Sequence, residues 1–187
     1  MSGKANWENR VKSIIASRNA LSTDKVDWKN ALIKALTRLA EKKFCALEVQ
    51  GWVSSKTIDG KKRLVTISNS ADGLVGGHYA IKIATTSNLN ADALLTFIVT
   101  SNPDSSILSY AVGLQGVQKN GDAWYARICL DPVQRGHGPC SHPLLHCHIG
   151  KNASSQNDPR TPLPWITPVE AVEWLMATVE PGLEPSW

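Results

Sequence analysis

The apolar positions of this chain change their period near residue 44. Before it they recur at helical spacing. Trp7, Val11, Ile14 and Ile15 predict an amphipathic helix over residues 6–20. In DKVDWKNALIKALTRLAEKKF, Trp28, Leu32, Ala35, Leu36 and Leu39 make one apolar stripe, which predicts a second helix. Ser22 to Asp24 offer oxygens for its N-cap, and Lys42 and Lys43 suit the negative end of its dipole.

After Phe44 the pattern becomes short β-like runs between polar turns: CALEVQGWVS, KRLVTIS, HYAIKIATT, LLTFIVTS, ILSYAVGL and AWYARICLD. Asp59-Gly60 and Asn120-Gly121 are hairpin turn signals, because those residues tolerate positive φ. Consecutive strands without helices between them predict an antiparallel meander, of which GPCSHPLLHCHIG, residues 138–150, is the last or next-to-last strand. In RTPLPWITP, Pro162, Pro164 and Pro168 hold the backbone extended. In TPVEAVEWLMATVEP, Thr167, Pro168 and Glu170 are a capping box with proline at the first helical position, and Pro181 marks the stop. Val169, Val172, Leu175, Met176 and Val179 make this last helix apolar around much of its circumference, so it is either deeply buried or docked on a protein partner or a second copy.

The expected fold is therefore α+β: an antiparallel meander with two N-terminal helices and one C-terminal helix. One domain spans residues 1–187, with a helical part at 1–43, the sheet at 44–150, and a loop plus helix at 151–187. Composition adds little to this picture. Hydrophobic residues at 42% and charged residues at 19% describe an ordinary globular protein, and a net charge of +4 permits an RNA or nucleotide partner without specifying one. No window approaches the ~18 consecutive apolar residues of a membrane span. MSGKANWENR does not lead into a hydrophobic signal core, so a cytoplasmic protein without membrane association is expected. In that compartment the four cysteines are thiols or metal ligands rather than disulfides. Cys45 and Cys129 fall in apolar runs and read as buried small hydrophobes. There is no Gly-rich phosphate loop and no C-x-x-C pair, which disfavours P-loop, Rossmann and zinc-ribbon chemistry.

The candidate chemistry lies in GPCSHPLLHCHIG. Period two places His142, Leu144, His146 and His148 on one strand face and Pro143, Leu145, Cys147 and Ile149 on the apolar other. If this strand pairs with AWYARICLD, the residues Tyr125, Arg127, Cys129 and Asp131 share the histidine face, which is expected to be exposed. A register with Asp131 opposite His142 sets Arg127 opposite His146 and Tyr125 opposite His148. His78 and Lys82 of HYAIKI share a face of their own strand and add candidate substrate contacts.

Two chemistries suit such a patch. His146 and His148 can ligate a divalent metal, zinc or manganese, with His142, Cys140 or Asp131 completing the site. Alternatively, one histidine acts as general base and another as general acid, Arg127 stabilises charge on a phosphoryl group, and Tyr125 orients a ring or stacks on a base.

The order H-P-x-x-H-x-H-x-G from His142 to Gly150, then R-x-P at Arg160, then P-x-E-A-x-x-W-L from Pro168 resembles the C-terminal half of uncharacterised bacterial proteins, some suspected to be toxins or phage-defence components. The resemblance covers His142 to Pro181 and carries over His142, His146, His148 and Arg160. It implies a nuclease-like effector that cleaves a phosphodiester in RNA or a nucleotide. The alternative is a non-catalytic binding or accessory module whose histidines are structural or hold a metal. Histidine triad hydrolases are similar in outline, but their strict H-x-H-x-H alternation fails at Leu144. Arg160, at the start of the proline-stiffened segment, is expected to point toward the histidine face.

Overall fold

The computed structural model describes residues 25–68, 74–75, 77–84, 92–131, 145–151 and 160–180. Within them the fold is mixed helix and antiparallel sheet, as the change of period predicts. The predicted helix at 6–20 lies outside the described residues.

Helix α1 spans Trp28–Glu41 and is capped by Asp27, whose side chain accepts from the Asn30 N–H, rather than by Ser22 to Asp24. Its buried residues are the predicted stripe: Trp28, Leu32, Ala35, Leu36 and Leu39. The next run departs from expectation. CALEVQGWVS is not one strand: Leu47–Trp52 forms a 3₁₀ turn, and strand β1 begins only at Val53 and ends at Ile58. Of this 3₁₀ turn only Val49 is buried, and Leu47 is exposed, so there is no period-two face to pack.

The other strands are β2 Lys62–Ile67, β3 Leu74–Val75, β4 His78–Tyr79, β5 Ile81–Ile83, β6 Ala93–Ser101, β7 Ile107–Val117, β8 Ala123–Leu130, β9 Leu145–Gly150 and β10 Arg160–Pro162. Pairing is antiparallel throughout, in the order β1-β2-β6-β7-β8-β9-β10, while β5 continues the line of β2 along β6. The β1–β2 and β7–β8 turns use the predicted signals, with Gly60 at φ +70° and Gly121 at φ +88°.

Parity sorts the sheet into two faces. On one, Val65, Val99, Tyr110, Leu130 and Leu145 line up across five strands, and Phe97, Val112, Ile128 and Cys147 form the next row. All nine are buried. Helix α2, Pro168–Val179, packs on this face with Ala171, Val172, Leu175, Met176 and Val179 buried, so its apolar circumference is used inside the fold. The capping box forms in full: Thr167 accepts from the Glu170 N–H, and the Glu170 carboxylate accepts from the Thr167 N–H. Arg38 and Glu173 join the two helices at 2.8 Å. The buried Tyr110 hydroxyl donates to the Ile166 carbonyl at 2.7 Å, anchoring the segment that leads into α2. Among the described residues no helix is long and apolar enough to cross a membrane.

Candidate metal centre

The opposite face carries the chemistry. Thr96, Gly113, Arg127, His148 and Arg160 form one row across β6, β7, β8, β9 and β10. The neighbouring row runs Ile98, Ala111, Cys129, His146 and Pro162. The register between β8 and β9 therefore differs from the expected one by two residues. Arg127 faces His148 instead of His146, Tyr125 faces Gly150 instead of His148, and Cys129 faces His146. A shift of two keeps every side chain on its predicted face and changes only which residues are neighbours.

A second correction concerns burial. The histidine face is not exposed at this point: His146 is 0% and His148 4% accessible, and Tyr125 and Cys129 are buried beside them. It is Ile149, on the predicted apolar face, that is 56% exposed. Ile149 borders a groove with Trp124, Trp174 and Val179.

Burial on both faces draws three soft or borderline donors together. The ligand atoms of Cys129, His146 and His148 all lie within 4.8 Å of one another. The two histidine Nε2 atoms are 2.8 Å apart, with the rings edge to face at 68°. Because i and i+2 share a strand face and the rings turn toward each other, side chains whose Cα atoms are about 6.5 to 7 Å apart by strand geometry meet at their tips. Gly113 makes room in the middle of this face. A Cβ there would stand 2.9 Å from Thr96 Oγ1 and 3.5 Å from the Tyr125 ring.

The electrostatics suit ligation by neutral imidazole. Burial, and then the adjacent Arg127 charge, push the His148 pKa down to about 4, with His146 and Arg160 acting in the same direction and Asp131 against it. Burial pushes the Cys129 thiol up to about 12, and Arg127 partly counters this. On its own Cys129 is therefore a thiol at neutral pH, and a bound metal would displace its proton. Arg127 Nη2 stands 3.5 Å from His148 Nε2, the guanidinium also hydrogen-bonds the Cys129 side chain, and Arg127 Nε is buried with no hydrogen-bond partner among the described residues.

The other candidates divide clearly. Arg160 pairs across from His148 on the edge strand, exposed but close enough for its charge to act on that imidazole. Asp131 follows β8 directly and its charge reaches both Cys129 and His148. Tyr125 is on the same face one position beyond Arg127 in side-chain order. His78 and Lys82 are not brought to the site. The HYAIKI run breaks at Ala80, so His78 sits exposed in the separate β3–β4 pair. Lys82 in β5 is tied to Asp92 at 2.7 Å, three strand spacings, roughly 14 Å, from the Tyr125 strand. His142 and Cys140 lie outside the described residues.

Cys129 is the site residue that sequence reasoning missed. The signal was present, since period two already put it on the histidine face, but its apolar neighbours Ile128 and Leu130 pointed to ordinary core. Cys147 is buried on the other face with its pKa raised by burial, as parity requires. Cys45 is half-buried beside α1 and not in a strand, its thiol pushed up to about 11 by burial. The chain matches no protein-family model, no curated protein and no solved structure.

Proposed function

We propose that the protein is a metal-dependent hydrolase-type domain whose centre is Cys129, His146 and His148, holding a divalent ion of the zinc class. The observation that carries this reading is the meeting of one sulfur and two imidazole nitrogens within 4.8 Å on a buried sheet face. A tetrahedral zinc site needs Zn–N near 2.0–2.1 Å and Zn–S near 2.3 Å, so neighbouring donors stand about 3.3 to 3.6 Å apart. The 2.8 Å separation of the Nε2 atoms has to open by roughly half an ångström, a small rotation of either ring. A thiolate with two imidazoles selects zinc over manganese, which prefers oxygen ligands. Among the described residues the donors number three, and a site of three protein donors with a fourth position for water or substrate is the pattern of catalytic rather than structural zinc.

A bound zinc ion lowers the pKa of its water toward neutrality and supplies a nucleophile. His146 and His148 hold the position, and Arg127 and Arg160 supply positive charge beside it. Phosphodiester cleavage in RNA or a nucleotide, as a toxin or defence effector, is the reaction we assign to this arrangement. The donor set and the two guanidinium groups support the phosphodiester chemistry, and the toxin or defence role rests on the resemblance over His142 to Pro181.

A second reading has one observation in its favour. The 2.8 Å contact is itself a ring-to-ring hydrogen bond, which can pass a proton in a metal-free acid-base reaction. Elemental analysis of the purified chain and cobalt substitution separate the two. The metal reading expects one ion per chain and, with Co(II), a thiolate charge-transfer band that Cys129→Ser abolishes. A chain with no metal and no such band, which cleaves RNA in the presence of chelator, overturns it.

A further inference from the structure

Arg127 gives the centre a second component. A guanidinium only donates hydrogen bonds, and Nε and Nη2 lie on the same edge of its plane, forming a two-pronged fork. Here Nη2 approaches His148 Nε2 at 3.5 Å, and Nε is buried without an acceptor among the described residues. His148 Nε2 is also 2.8 Å from His146 Nε2. A ring nitrogen has one lone pair or one proton at that position, so it cannot serve a metal and accept from Arg127 together. Once His148 ligates, Nη2 loses that contact, the guanidinium keeps its hydrogen bond to the Cys129 side chain, and Nε has no acceptor among the described residues.

The charges point the same way. A divalent ion bound to one thiolate keeps one positive charge, Arg127 and Arg160 add two more, and Asp131 removes one. Counted over the described residues, two positive charges remain beside the metal, on the side where the exposed Arg160 meets solvent. A carboxylate balances half of that, whereas a phosphate group carries one to two negative charges and enough oxygens for both the metal and the fork.

Building on the metal reading above, we infer that the centre takes a phosphate-type oxyanion, one oxygen at the metal and others on the Nε–Nη2 edge of Arg127, with Arg160 closing the positive pocket. Arg127 is then the residue that selects the substrate class, and the unpaired Nε is its recognition atom.

The test uses the full chain loaded with Co(II) and titrated with inorganic phosphate, read in the visible cobalt bands. Wild type should show a saturable spectral change, and acetate at equal concentration should show none. Arg127→Met should keep one cobalt per chain and the thiolate band while phosphate affinity falls about tenfold or more, since a charge-assisted fork is lost. Arg127→Lys retains the charge without the fork and should recover only part of the affinity, and it carries the test if the Met variant does not fold. Cobalt uptake with no response to phosphate, an equal response to acetate, or Arg127 variants that bind phosphate like wild type would overturn the inference while leaving the metal centre standing. Failure to take up cobalt would remove the metal reading and this inference with it.

Discussion

In the chelator-treated protein, His148 should make stability fall in mildly acidic solution. Its pKa is depressed from 6.5 to about 4 by burial and by the flanking Arg127, His146 and Arg160, with only Asp131 favouring the proton. The unfolded chain takes up a proton on this ring below pH 6.5 and the native chain does not. Stability is therefore full above about pH 6.5 and drains as pH falls toward 4. At pH 5.0 the unfolded state is protonated about thirtyfold over neutral while the native ring stays neutral, which amounts to a loss of about 2 kcal/mol relative to pH 7.5. Urea unfolding followed by tryptophan fluorescence at the two pH values measures this, with His148→Gln as the reference. Gln keeps a polar group near the Nε2 position but does not titrate, and the carboxylates contribute equally to both proteins. Wild type should lose about 2 kcal/mol more than the variant between pH 7.5 and 5.0. Equal losses in the two proteins would refute the buried, neutral ring.

Other outcomes follow from the same geometry. His146→Ala should cost about 2 to 4 kcal/mol in urea unfolding, because it empties a fully buried position and leaves His148 Nε2 only its longer contact with Arg127; a loss below about 0.5 kcal/mol would contradict that burial. Cys147→Ala should cost about 1 to 2 kcal/mol through lost packing yet leave the cobalt spectrum unchanged, since Cys147 faces the helices. Tyr110→Phe should cost about 1 to 2 kcal/mol by leaving the buried Ile166 carbonyl without its donor, seen as a lower Tm. Gly113→Ala should destabilise by about 1 to 3 kcal/mol, because the new methyl group meets Thr96 Oγ1 at 2.9 Å; an unchanged Tm would show that this face has slack.

Periodicity alone carried much of this protein. The stripe Trp28, Leu32, Ala35, Leu36 and Leu39, the Thr167–Glu170 capping box and the turns at Gly60 and Gly121 are local features, so a few neighbouring residues are enough to specify them. The same holds for the two faces of β8 and β9, since alternation is a property of each strand by itself. CALEVQGWVS misled because its apolar residues suit a strand by composition while only Val49 of its 3₁₀ turn is buried.

What tertiary structure decided was register and depth. Leu130 and Leu145 are separated by a long connection rather than a tight turn, and such a connection leaves the offset between two strands open in steps of two. Pairing of the apolar rows Val112–Ile128–Cys147 and Tyr110–Leu130–Leu145 set that offset, and with it Cys129, rather than Asp131 or Arg127, came to lie opposite His146. Burial of the second face is likewise invisible in a single strand's pattern, because alternation marks which residues point away from the core and not whether water reaches them. The sequence determined that Cys129, Arg127, His146 and His148 share a face; only the fold brought a sulfur and two imidazoles within 4.8 Å and left an arginine edge beside them.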